Sequence, residues 1–297
     1  MRFLFVDRIV QLQPGESIKG IKHITQDDAF LSLDEHGRFY FVPSLIGETL
    51  GQLAAWNVMF HNQFQARPVA GVVASARLHR PAYVGETLLL ESYIDCLDAQ
   101  AVQYHSLARV GQEAVFTIEG ALGPLLPMDD FIDQELVRRQ FSEINRPGDW
   151  ETISHNPSEM NNTKNPQAHY HLTTSLKFDR ILSLMPDHSV TAEKRISRMA
   201  GYFDDHFPRK PVLPMTVLLE CKLNLAKDFI QQSHYANRYQ FKELRRVKMN
   251  EFVYPGDVLL CEAKIKQQGE EELILNFRST VSGHRVCVAE AVFTQRG

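Results

Sequence analysis

The sequence predicts an α+β protein made of two copies of one fold, each an antiparallel sheet wrapped around a central helix. The first observation is an internal repeat. Val6-Asp7-Arg8-Ile9-Val10-Gln11-Leu12-Gln13-Pro14 recurs as Phe178-Asp179-Arg180-Ile181-Leu182-Ser183-Leu184-Met185-Pro186, an offset of 172. Ile24 matches Ile196 at the same offset. Ala82-Tyr83-Val84-Gly85-Glu86, with Leu88-Leu89-Leu90-Glu91, answers Val253-Tyr254-Pro255-Gly256-Asp257, with Leu259-Leu260-Cys261-Glu262, at an offset of 171. One long period in constant order marks a duplicated domain; solenoid repeats run roughly 20–50 residues. The second observation is that each copy holds one helix that is apolar nearly all round, hence enclosed. The third is length, since 297 residues suit two domains.

Each copy reads in the same order. A strand and a loop precede the helix, near Leu45–Phe60 in copy one and Thr216–Gln231 in copy two. Alternating or β-branched runs then predict strands at Val69–Arg80, Glu86–Cys96, Ala101–Ala108 and Glu113–Ala121. Copy two offers Tyr239–Met249, Asp257–Lys266, Glu271–Ser279 and His284–Phe293. An antiparallel sheet enclosing one helix is an α+β arrangement.

These limits divide the chain into residues 1–126, a connection over 127–172, and residues 173–297. Within the connection, Phe131, Ile132, Leu136, Val137, Phe141 and Ile144 are spaced for one face of an amphipathic helix over Asp129–Ile144. Asn145-Arg146-Pro147-Gly148-Asp149 and the polar run Asn156–Gln167 predict an irregular stretch.

Composition narrows the function. Hydrophobic residues are 44% and charged residues 23%, as in a folded globular protein, and the net charge of -4 favours neither nucleic acid nor an anionic membrane. No apolar run approaches a membrane span, and Asp7 and Arg8 end the N-terminal one, so a cytoplasmic protein is expected. The four cysteines form no paired motif and sit in apolar segments, which suits buried thiols. His169-Tyr170-His171 lacks a third ligand nearby, so neither a metal nor another cofactor is expected.

The most informative segment is Asp205-His206-Phe207-Pro208-Arg209-Lys210-Pro211-Val212-Leu213-Pro214-Met215-Thr216-Val217-Leu218-Leu219-Glu220, with His206 and Glu220 fourteen residues apart. It resembles the hotdog-fold β-hydroxyacyl-acyl-carrier-protein dehydratases, in which a His-Phe-Pro tripeptide leads to a helix bearing an acid at that distance. Phe178-Asp179-Arg180-Ile181 and Tyr254-Pro255-Gly256-Asp257 extend the resemblance over most of residues 175–297. Copy one keeps Gly47-Glu48-Thr49-Leu50-Gly51-Gln52 but has no His-Phe-Pro; Asp34 stands opposite His206, and His36 has no Phe-Pro after it. This half is similar to the histidine-lacking dehydratase-like proteins of aryl-polyene biosynthesis clusters. The resemblance implies a double hotdog.

It also implies roles. A neutral imidazole suits removal of an α-proton near pH 7, and a carboxylic acid suits protonation of a leaving hydroxyl. Hotdog dehydratases pair a histidine from one copy with an acid from the other. His206 as base would therefore work with Glu48 as acid, while Glu220 would face Asp34 in a site lacking a base. A helix N-terminal N–H stabilises developing oxyanion charge; where the family has Gly, Met215 supplies that amide here. The expected substrate is a thioester on the phosphopantetheine arm of an acyl carrier protein, docked by Arg209, Lys210, Arg245, Arg246 and Lys248. The chain is also compatible with a homodimer. Two other readings stay open: a hotdog thioesterase, and a non-catalytic acyl-thioester-binding subunit.

Overall fold

The computed structural model describes residues 2–148 and 176–296. Copy one opens with the hairpin β1 (Arg8–Gln13) and β2 (Ser17–His23), then the short hairpin β3 (Leu31–Leu33) and β4 (Phe39–Phe41). Helix α1 (Pro43–His61) follows, then β5 (Ala66–Pro68), β6 (Val72–Leu78), β7 (Ala82–Tyr83), β8 (Thr87–Leu97), β9 (Ala101–Val110) and β10 (Glu113–Pro127). Copy two has β11 (Arg180–Met185), β12 (Ser189–Arg195), α3 (Met215–Gln231), β13 (Tyr239–Met249), β14 (Val258–Gln268), β15 (Glu272–Val281) and β16 (His284–Gln295), with α2 (Gln134–Ile144) lying between the copies in sequence.

Duplication is visible in the strand order. Copy one runs β1-β2-β8-β9-β10-β6, and copy two runs β13-β16-β15-β14-β12-β11, the same order reversed. The two half-sheets join edge to edge where β6 pairs antiparallel with β13, with Glu243 opposite Arg77 and Val247 opposite Val73. Each wraps its own helix: Leu45, Leu50 and Leu53 of α1, and Val217, Leu218 and Cys221 of α3, are fully enclosed. The double hotdog thus has one sheet running through both copies, a small separate sheet β3-β4-β7, and a main core shared by both copies. Pairing at the seam satisfies backbone groups that two free edges would leave open.

The repeated sequence signals have matching structural tasks. The Asp7 carboxylate accepts from the His23 amide at 2.6 Å, and Asp179 accepts from Arg195 at 2.5 Å. Gly85 and Gly256 both have φ near +97°, a left-handed conformation open to glycine at little cost. Each lets its turn close, Glu86 donating to the Tyr83 carbonyl and Asp257 to that of Tyr254. The Gly85 and Gly256 amides then donate to the Ile24 and Ile196 carbonyls respectively.

The connecting helix is shorter than its apolar pattern predicts. Residues Met128–Asp130 form a 3-10 turn, and α2 starts only after Asp133, whose carboxylate caps the Glu135 and Leu136 amides. That cap fixes the helix start, while Met128, Phe131 and Ile132 enter the core ahead of it. Phe141 of α2 stacks on Phe60 and tilts against Trp56, both on α1. The polar run at 156–167 and the histidines at 169 and 171 lie outside the described residues.

Candidate active site

His206 sits on the loop between β12 and α3, just after a 3-10 turn at Gly201–Asp204. Its amide donates to the Tyr202 carbonyl, and its own carbonyl accepts from the Val212 amide. Nδ1 lies 2.9 Å from the Val212 carbonyl oxygen. A carbonyl can only accept, so Nδ1 carries the proton and the neutral ring keeps its lone pair on Nε2. Phe207 stacks on the imidazole at 4.0 Å between centroids, and Phe3 meets it edge-on at 5.8 Å.

Glu48 comes from α1 in the other copy. Thr216 Oγ1 in the first turn of α3 donates to its Oε2 at 2.7 Å, and Gln52 Nε2 donates to its Oε1 at 3.0 Å. Gln52 is held by the N-terminal segment, donating to the Phe3 carbonyl and accepting from the Phe5 amide. Both Glu48 and His206 line one cavity of ≈ 150 Å³ whose wall is largely apolar, with Trp56, Met59, Ile132 and Val137 among its residues. Burial pushes the His206 imidazole below its ordinary range; the Glu48 carboxylate and the Val212 carbonyl oppose this, and Arg67 adds to it. The imidazole is neutral at neutral pH. Met215 lines the cavity at the start of α3, where its N–H belongs to the helix turn that has no intrahelical acceptor.

Glu220 occupies the symmetry-related position but meets different surroundings. It is 1% exposed, accepts from Ser44 Oγ at 2.6 Å and from the Ser44 amide at 3.3 Å, and does not line the cavity. The expected meeting of Asp34 with Glu220 does not occur among the described contacts. Asp34 lies in the turn between β3 and β4, where its carboxylate accepts from Arg38 at 2.8 Å, from the Tyr83 hydroxyl at 3.2 Å and from the His36 and Arg38 amides. The reason is local: copy one closes this stretch as a hairpin on β7, whereas copy two leaves it as the loop that holds His206. His36 is exposed on that turn, 3.8 Å from Glu35.

The basic residues separate into two groups. Arg209 and Lys210 follow His206; Arg209 pairs with Asp129 and Asp133, and the Lys210 ammonium lies over Phe131 and Phe252. On β13, Arg245 pairs with Glu243 and Arg246 with Glu290, while Lys248 is exposed. Among the described residues no group of His, Cys, Asp and Glu side chains gathers for a metal.

Sequence reasoning missed three polar cavity residues, Tyr104, Arg67 and Gln140. Tyr104 of β9 lines the cavity, its phenol pushed upward by burial and by the nearby Glu48 charge. Arg67 of β5 also lines it, with its guanidinium 3.7 Å from the Phe207 ring centre. Burial pushes Arg67 down to about 9, with Glu48 opposing. The only signal for Arg67 was a charge inside the apolar run Ala66-Arg67-Pro68-Val69.

Comparisons with known proteins bear on the family and the fold. Residues 183–290 match the family model described as ApeI-like, ApeI dehydratase. A 3-hydroxyacyl-[acyl-carrier-protein] dehydratase FabZ from Listeria welshimeri is 31% identical over 121 residues, covering 40% of this chain and 83% of the relative. Among solved structures, the dehydratase domain of PpsC from Mycobacterium tuberculosis aligns with a TM-score of 0.57 at 12% identity, covering 98% of each chain. An acyl-ACP thioesterase from Bacteroides thetaiotaomicron aligns at 0.53 and 12%, over 93% of this chain and 97% of that one. At such identities the structural neighbours establish the fold alone. The sequence relative and the histidine motif go further: the chain belongs to the hotdog-fold 3-hydroxyacyl-[acyl-carrier-protein] dehydratases, a hydro-lyase family, as a tandem member.

Proposed function

We propose that the chain dehydrates β-hydroxyacyl thioesters at one composite site, with His206 as base and Glu48 as acid. The supporting observation is that the two residues, from different repeats, line a single apolar cavity. Nε2 of His206 takes the α-proton, and the electron pair enters the thioester carbonyl as an enolate. The first-turn N–H of Met215 stabilises that charge. Glu48 donates its proton to the β-hydroxyl, the C–O bond breaks, and the enolate collapses to the conjugated double bond with loss of water. Protonated His206 then returns its proton to the Glu48 carboxylate, which restores the acid for the next turnover. The apolar wall accommodates the acyl chain.

The thioester is carried on the phosphopantetheine arm of an acyl carrier protein. Lys210 and Lys248 are its docking cations, with Arg209, Arg245 and Arg246 modulated by their acidic partners. The test incubates the protein with β-hydroxyacyl carrier protein and follows the carrier by mass spectrometry. Loss of one water from the acyl carrier supports the reading. Release of free carrier thiol would indicate a thioesterase instead, and an unchanged carrier would indicate a binding subunit.

A further inference from the structure

Arg67 has no counterpart in the chemistry just described. It forms no hydrogen bond or ion pair among the described residues, and its Nε is enclosed without an acceptor. Phe207 covers only its flat face. The imidazole and the guanidinium both sit over the Phe207 ring, at 4.0 Å and 3.7 Å. Two groups that close to one ring centre cannot share a face without overlap, so Phe207 lies between them. The guanidinium therefore lies on the far side of Phe207 from the imidazole, where it lines the largely apolar cavity. A guanidinium carries five N–H donors in one plane, shaped for a carboxylate, and leaving the enclosed Nε donor unpaired is costly.

We propose that Arg67 binds a carboxylate carried on the acyl chain several bonds beyond the β-carbon, making the preferred substrate a thioester of a β-hydroxy dicarboxylic acid. This rests on the dehydratase reading and adds the substrate class to it. The phosphate of the carrier arm is the other anion at hand. An extended pantetheine separates phosphate from sulfur by roughly thirteen bonds, about 15 Å at extended-chain spacing. The two stacking steps that part Arg67 from His206 cover about half that distance, so an extended arm carries its phosphate past Arg67.

Two pantetheine thioesters of β-hydroxy acids with equal chain length, one ending in methyl and one in carboxylate, test the proposal. The wild type should favour the carboxylate, and the ratio of kcat/KM for carboxylate over methyl should fall about tenfold or more in Arg67→Met. Arg67→Lys should retain part of the preference. A wild type that favours the methyl chain, or a ratio unchanged by Arg67→Met, would overturn it. Equal loss on both substrates would overturn it too, since it would mean an effect on the common reacting centre. A phosphopantetheine arm whose advantage over pantetheine vanishes in Arg67→Met would assign the cation to the phosphate instead. A second readout needs no turnover. Trp56 lines the cavity, so tryptophan fluorescence is titrated with monoethyl adipate and with ethyl hexanoate. Arg67-dependent tighter binding of the adipate without dehydration of either thioester would sink the dehydratase reading and keep this one.

Discussion

At the residue scale the proposed pair is favoured by what each group contacts. Glu48 faces the cavity with His206, whereas Glu220 is enclosed against Ser44. His206→Ala should lower dehydration by about two orders of magnitude with the fold intact, as for loss of a general base. Steady-state rates should likewise fall far more in Glu48→Gln than in Glu220→Gln; the reverse order would reject the crossed pairing. The pH profile has a definite sign. In the proposed reaction neutral His206 is the active form, and burial lowers its affinity for protons. The acid limb of kcat/KM should therefore lie below the ordinary imidazole value of about 6.5, and titrating kcat/KM from pH 4.5 to 8 checks this. A limb above 6.5 would mean that the Glu48 charge dominates instead.

At the element scale α1 and α3 are linked reciprocally. A hydroxyl in the first turn of each bonds the carboxylate of the other: Thr216 to Glu48, and Ser44 to Glu220. The repeat made the bonds symmetric, but their surroundings make them unequal. Ser44→Ala strips the nearer donor from a buried carboxylate and should cost about 1–3 kcal/mol, read as a lower Tm. Thr216→Val should act mainly on kcat, because its acceptor is the proposed acid. Chemical denaturation and rate measurements on both variants separate the two effects; a Ser44→Ala variant that loses rate but no stability would contradict the division. The boundaries of both helices were legible within about two residues, because Pro43 and Pro214 mark their starts and the apolar runs their extent. The start of α2 was not, since periodicity ignores the Asp133 cap.

At the scale of the whole molecule, stability depends on the seam between the half-sheets. Glu243 of β13 is buried there, bonded to Ser75 and near Arg77 across the seam, and paired with Arg245 on its own strand. Burial pushes its carboxyl up, but the Arg245 and Ser75 hydrogen bonds and the two arginine charges outweigh this and hold it low. The unfolded chain therefore binds this proton more readily than the folded one, and the contribution present above about pH 4.5 is lost as pH falls through the lower folded value. Glu243→Gln should flatten the acid side of the stability curve, measured by urea unfolding between pH 3 and 7. An unchanged slope would place the acid sensitivity elsewhere. The joined sheet and shared main core also predict that both copies unfold together.

What the sequence determined by itself was whatever adjacent residues decide. The duplication, the enclosed helices, the Gly85 and Gly256 turns and the His206-Phe207-Pro208 motif are all written in short runs, because helix period, strand alternation and turn φ are local properties. Tertiary structure decided which surfaces meet. The β6–β13 seam is an edge choice that no strand announces. The Asp34 stretch folds as a hairpin because its partner β7 arrives from far along the chain, and so the repeat offset alone paired Asp34 with the wrong neighbour. Arg67 became part of the site only when β5 was laid against the face of Phe207. Proximity between distant segments is set by the packing of the whole core, and a linear pattern carries no measure of it.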